Sequence, residues 1–243
     1  MAQLFCGTSG FSYPTWKPDF YPEKLPAKKF LSHYATKLNA VEINYTYHRL
    51  PSPATLEGWL ADTQPGFVFA LKAHQRLTHI QRLARSEFTE AFFRSVDPLR
   101  VHEKMGPVLF QLPPNLQCDV AKLQDFLNDV PSDARCAFEF RHPSWFDEPV
   151  YDLLASRNIA LCLAESDKLV VPKRTTADFV YFRLRKTEYL PEDRAEIART
   201  VSDLLSQGKN VYVFFKHEET PAGALYAQEL LDSQKNAASG QAG

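Results

Sequence analysis

The segment "CAFEFR", residues 136–141, places Phe138 and Phe140 on one alternation and Glu139 with Arg141 on the other. In an extended strand these two sets face opposite sides, so the acid and the base share a face. The same device recurs along the chain. Glu42 and Asn44 alternate with Val41 and Ile43; Lys72 and His74 follow Ala70; Gln111 closes "PVLFQL"; Arg183 and Arg185 follow Tyr181; Lys216 follows Tyr212 and Phe214. Charges at the ends of apolar runs must be paired or must meet a ligand. Lys72, Arg141, Arg183, Arg185 and Lys216 make five cations against two inward carboxylates, three if Glu165 joins. The surplus predicts an anionic partner, a phosphate or carboxylate group on a small substrate. On that reading Glu42 or Glu139 is the general acid or base, and His74 or His142 is the alternative proton carrier. Thr8, Ser9, Asn44 and Gln111 add polar contacts around the same end. Tyr13, Trp16 and Trp145, in or beside the adjoining loops, could stack on a ring or sugar.

Other chemistries fit these residues less well. The histidines show no HxH or HExxH spacing, and neighbouring cations oppose a divalent ion, so no metal and no cofactor is expected. A two-carboxylate glycosidase would use Glu42, Glu139 and Glu165, but the cation surplus is unusual for a neutral sugar. No GxSxG elbow marks a nucleophilic serine. Two alternatives stay open: a basic mouth that binds nucleotide or nucleic acid without catalysis, and an internal ion-pair network with no chemistry.

Eight short strand-like runs must position these groups: 3–9, 40–46, 67–73, 107–112, 136–141, 160–165, 179–185 and 210–216. Most are rich in Val, Phe, Ile and Tyr. Helical patterns separate them, with Ser52 and Pro53 opening one and Gly208 closing another. The segment after the sixth run, "SDKLVVPKRTTAD", has no helical pattern. Alternating strands and helices predict a single α/β domain, a (β/α)₈ TIM barrel over residues 1–233, with the helix after strand 6 missing or irregular. An open doubly wound sheet is the rival, but "GTSGFSYPTW" lacks the GxGxxG spacing. Residues 234–243 show no apolar periodicity and read as a disordered tail.

In such a barrel the chemistry lies at the C-terminal strand ends, where these polar residues fall. The net charge of −1 excludes a globally basic nucleic-acid binder, though not a local basic patch. No run is apolar for the roughly 18 residues of a membrane span, and the N-terminus shows no basic leader region. Cys6, Cys118, Cys136 and Cys162 are widely spaced, as reduced thiols of a cytoplasmic protein would be. The oligomeric state is not legible.

The stretches "GTSGFSYPTW" (7–16), "VEINYTYHRLP" (41–51), "FQLPP" (110–114) and "FEFRHPSW" (138–145) resemble the motifs of the domain of unknown function 72 family, also called YecE-like. The resemblance runs from Gly7 to about Leu231. It implies a TIM barrel and supplies no reaction. By position it places Gly7, Thr8, Ser9, Glu42, Asn44, Lys72, Gln111, Glu139, Arg141, His142 and Arg183 on motif positions. Two stretches depart from the commonest form: "RLRK" (183–186) stands where many members read "RLHG", and "FFKH" (214–217) where many read "YFNN". Both departures add positive charge, which implies a more highly charged anion here.

Overall fold

The computed structural model describes residues 2–240. Eight parallel strands close into a barrel in sequence order: β1 (Leu4–Ser9), β2 (Ala40–Ile43), β3 (Val68–Lys72), β4 (Met105–Gln111), β5 (Cys136–Glu139), β6 (Ala160–Ala164), β7 (Phe179–Leu184) and β8 (Asn210–Phe215). Helices α1 (Phe30–Lys37), α2 (Tyr45–His48), α3 (Pro53–Ala61), α4 (Glu87–Val101), α5 (Val120–Leu127), α6 (Glu148–Ser156), α7 (Pro191–Ser206) and α8 (Ala222–Gly240) lie between and after them. The expected TIM barrel is therefore present.

Alternation sorts the strands as a half-polar barrel requires. Val41, Ile43, Val211, Val213 and Phe215 pack outward with α1 and α8, while Val108, Phe110 and Phe138 pack against the helices on the opposite wall. The lumen is filled by Ala40, Ala70, Leu109, Ala137, Cys162, Tyr181, Tyr212 and Phe214. Small alanines on β2, β3 and β5 leave room above them for the longer polar residues of the next layer. Strand register brings that layer together: Ser9 lies beside Glu42, Gln111 beside Glu139, and Ala164 beside Arg183.

Local chemistry explains several boundaries. The Ser52 hydroxyl accepts the Thr55 amide at the start of α3, with Pro53 in the first turn. Gly208 follows α7 with φ +79°, a conformation that glycine adopts without strain. A side chain at Gly7 would place its Cβ 1.8 Å from Ala40 O, so only glycine lets β1 lie this close to β2.

No helix joins β6 to β7. Residues 165–178 run in irregular backbone, and Leu163 and Phe182 on the outer face of the two strands are left only partly buried. Leu163, Phe182 and Leu184 line a groove of about 540 Å³ with Ile197, Val201 and Leu204 of α7. Of the residues 234–243 read from sequence as a tail, 234–240 continue the helical backbone of α8, and 241–243 lie outside the described ones. Among the described residues no helix is long and apolar enough to cross a membrane.

Candidate functional site

Arg183 occupies the centre of the barrel's upper layer. Its Nε donates to Glu42 Oε2 (2.9 Å), its Nη2 to Glu42 Oε1 (2.7 Å) and Ser9 Oγ (3.2 Å), and its Nη1 to Glu139 Oε2 (2.5 Å). Glu42 also accepts from Tyr181 (2.8 Å) and from the Ser9 hydroxyl. Glu139 accepts from Gln111 Nε2 (2.9 Å). Asn44 Nδ2 reaches Ser9 Oγ at 3.4 Å, at the edge of the same cluster. Side-chain exposure is 3% for Arg183, 0% for Glu42 and 2% for Glu139. Charges this deep persist only when paired and hydrogen-bonded, and here each is.

The pairing fixes the ionisation of both acids. Burial opposes charge on Glu139, but Arg183, then Arg185 and Arg141, outweigh it and hold the carboxyl at about 2. Burial likewise opposes charge on Glu42, and Arg183 with its hydrogen bonds holds that carboxyl below the usual range. The two acids expected from sequence to carry protons are both engaged by Arg183 here. Glu42 is sealed from any ligand, and Glu139 stays ionised near neutrality and is a very weak base. They act as the counter-ions of Arg183, which in turn is closed to an external anion.

The rim above is different. Arg141 Nε donates to Glu139 Oε1 (3.0 Å), and Arg185 Nη2 shares both Glu139 oxygens at 3.2 Å each. These side chains are 36% and 20% exposed. Arg185 Nε is buried without a hydrogen-bond partner. Burial and the neighbouring Arg183 lower the Arg185 pKa, although Glu139 opposes the shift. Lys72 Nζ stands 4.2 Å from the Tyr47 ring centroid, in cation–π contact. Burial, then Arg183, push Lys72 down to about 8, against partial opposition from Glu42 and Glu139. Four cations therefore meet two carboxylates. Glu165 does not redress the balance: its Oε2 accepts the amides of Arg185 (2.6 Å) and Lys186 (3.2 Å) and the Tyr189 hydroxyl.

Several expected ligand contacts are redirected. Trp16 is fully buried and stacks on Tyr21 at 5.9 Å. Trp145 is 1% exposed, stacks on Phe140 at 4.7 Å and donates Nε1 to Leu116 O. Both rings anchor loops and have no face free to stack on a ligand. Thr8 is held from the α1 side by Tyr34, whose hydroxyl meets its amide and its Oγ1. Tyr13, half-buried, donates to Ser9 O. Lys216 is exposed and lies 3.5 Å from Glu218 Oε1, a local pair that keeps it out of the central network. His142 Nδ1 caps the short turn Pro143–Trp145 by accepting from Ser144 N. His74 Nδ1 accepts the Arg76 amide, and its ring packs on Phe88.

One residue not singled out from sequence belongs to the rim. His79 follows β3 in the turn Arg76–Ile80 and meets Tyr47 edge-on at 5.4 Å. Burial, then Lys72 and Arg141, lower its pKa. Its position after the C-terminal end of a barrel strand was the available signal. Among the described residues no three His, Cys, Asp or Glu side chains form a metal-ligand group.

A solved structure of a DUF72 family protein from Thermotoga maritima MSB8 is similar to the whole barrel, with 29% identity, a TM-score of 0.84, and coverage of 96% of this chain and 99% of that one. A DUF72 family structure from Enterococcus faecalis V583 shares the fold at 20% identity and a TM-score of 0.77, covering 96% and 98% of the two chains. The UPF0759 protein YunF of Bacillus subtilis (strain 168) is 33% identical over 143 residues, 54% of this chain and 49% of the relative. The UPF0759 protein YecE of Escherichia coli (strain K12) is 27% identical over 145 residues, 59% of this chain and 50% of the relative. These matches thus span about half the length of the curated relatives. The family model described as "Protein of unknown function DUF72" matches residues 5–242, nearly the whole barrel with its central Glu42–Arg183–Glu139 cluster, and the chain belongs to that family.

Proposed function

We propose that the barrel mouth binds the phosphate or carboxylate group of a small substrate and that the protein is an enzyme acting on it. The observation that carries this reading is the divided cation set. Arg183 is consumed by two buried carboxylates, Arg141 and Arg185 share what remains of Glu139, and Lys72 stands near them against the Tyr47 ring, so that two positive charges are in excess. The unpartnered Arg185 Nε adds an unused donor. Arginines hold carboxylates and phosphates through several parallel hydrogen bonds, and a desolvated site strengthens each of them. Proton transfer falls to Lys72, whose pKa is lowered to about 8, and to His79, which meets the same Tyr47 ring, rather than to the depressed Glu139 carboxylate.

A single-strand-binding module would use the same charge and stack bases on aromatic rings, for which Trp16 and Trp145 are buried while Tyr45 and Tyr47 remain at the rim. Four free cysteines, three of them buried, suit a reducing compartment, and we place the protein in the cytoplasm on that ground. The test is calorimetric titration with inorganic phosphate, citrate and a single-stranded oligonucleotide. Saturable binding of the small anions, weakened at least tenfold in Arg185→Met, supports the reading. Binding of the oligonucleotide alone, with steep salt dependence, replaces it with the nucleic-acid module.

A further inference from the structure

Two lysines are drawn into the protein interior, and they are treated differently. Lys104, 8% exposed, donates Nζ to Leu60 O (3.3 Å), Thr63 O (2.5 Å) and Thr63 Oγ1 (2.7 Å). Its ammonium is saturated and holds the end of α3 to the segment before β4. Lys72 is largely buried at the mouth of the lumen, yet among the described residues its Nζ makes no hydrogen bond and no ion pair, and its contact of this kind is the Tyr47 ring. Its charged neighbours include Arg183 and Arg141, which disfavour an ammonium, while the carboxylates nearby are already committed to arginines. A structural lysine has acceptors. A lysine kept without acceptors beside other cations is placed as a nucleophilic amine, because desolvation and like charge favour its neutral form.

Resting on the anion-binding reading above, we infer that Lys72 forms a Schiff base with the carbonyl carbon of a small substrate carrying a carboxylate or phosphate group. Arg141 and Arg185 hold the anionic group, which sets the carbonyl over Lys72. The neutral amine adds its lone pair to the carbonyl carbon, and the carbonyl oxygen takes up a proton to give a carbinolamine. The nitrogen lone pair then expels that oxygen, protonated again, as water, and a C=N bond replaces C=O. One water is released and nothing is oxidised or reduced. His79, in edge contact with the ring that covers Lys72, is placed to carry the protons. A burial-lowered lysine pKa of about 8 supplies neutral amine near physiological pH.

The test is reductive trapping with cyanoborohydride, using pyruvate, dihydroxyacetone phosphate and uncharged hydroxyacetone as probes, read by peptide mass spectrometry. We expect a single reduced adduct on the peptide bearing Lys72. Pyruvate or dihydroxyacetone phosphate should label it at least tenfold faster than hydroxyacetone, and the rate should rise as pH passes through about 8. Lys72→Arg, which keeps the charge, should lose the adduct while melting cooperatively. Labelling spread over surface lysines, or no faster at Lys72 than at exposed Lys216, overturns the inference. If phosphate binds by calorimetry and no adduct forms, the Schiff base fails and the anion site survives. If hydroxyacetone labels Lys72 as fast as pyruvate does, the amine chemistry stands and the anion reading fails.

Discussion

Arg183 in β7 and Arg185 just past its end lie two residues apart and both reach Glu139, yet they do opposite things. Arg183 meets Glu42, Glu139 and Ser9 and is 3% exposed, and the two acids raise its pKa despite burial. Arg185 shares Glu139 with two other arginines, keeps an unused Nε, and has its pKa lowered by burial and by Arg183. A strand rises roughly 6–7 Å over two residues, enough to pass from a dry, fully paired layer to a half-open rim. The lesson is that a polar barrel end can hold two tiers with separate work. The inner tier is a structural ion cluster, and the outer tier has a surplus of charge that the inner tier maintains.

Breaking the inner tier should have the largest effect. Arg183→Met leaves two buried carboxylates without their counter-ion and should cost about 3–5 kcal/mol in chemical denaturation. A loss below about 1 kcal/mol would mean that the cluster rearranges easily and that the tiers are not distinct.

Acid probes the same tier next. Glu139 is held at about 2, below the usual 4.5. A carboxyl lowered in the folded state contributes stability that is present above about 4.5 and is lost as pH falls towards about 2. The loss across that window should be about 3 kcal/mol for this group, and Glu42 acts in the same direction. Denaturant titrations at a series of pH values should show this slope in the wild type and a shallower one in Glu139→Gln.

The outer tier should respond with smaller effects of the opposite sign. Lys72 pays for its position, so Lys72→Met should raise stability near neutral pH by about 1 kcal/mol or more. Its folded pKa of about 8 lies below the usual 10.5, so the folded wild type sheds a proton before the unfolded chain does. Wild-type stability should therefore rise, relative to Lys72→Met, from about pH 8 to about 10.5. Smallest of all, Arg185→Met should change stability without ligand by no more than about 1 kcal/mol. It should nevertheless abolish most of the rise in melting temperature that phosphate gives the wild type, since a ligand stabilises only the state that binds it.

The barrel was legible because alternation, strand number and the helix-free segment 165–178 are all written in residue type and spacing. The shared face of Glu42, Lys72, Glu139 and Arg183 was legible for the same reason. Depth along that face was not. Alternation assigns Arg183 and Arg185 to one side but is silent on which arginine the two carboxylates enclose. Nor does it separate an aromatic rim from an aromatic anchor: Trp16 and Trp145 follow strand ends as a stacking platform would, and only packing on Tyr21 and Phe140 decides. Glu165 follows Ala164 out of the lumen, and Tyr189 with two backbone amides claims it from elements distant in sequence. The helical extension of α8 through residues 234–240 lacked an apolar stripe to announce it.

The two-tier account meets its most direct test in a crystal grown in phosphate. An anion should lie within hydrogen-bonding distance of Arg185 and of Arg141 or Lys72, with the Arg183 bonds to Glu42 and Glu139 unchanged. An anion bound to Arg183 with either carboxylate displaced, or a mouth that stays free of phosphate at saturating concentration, would contradict it.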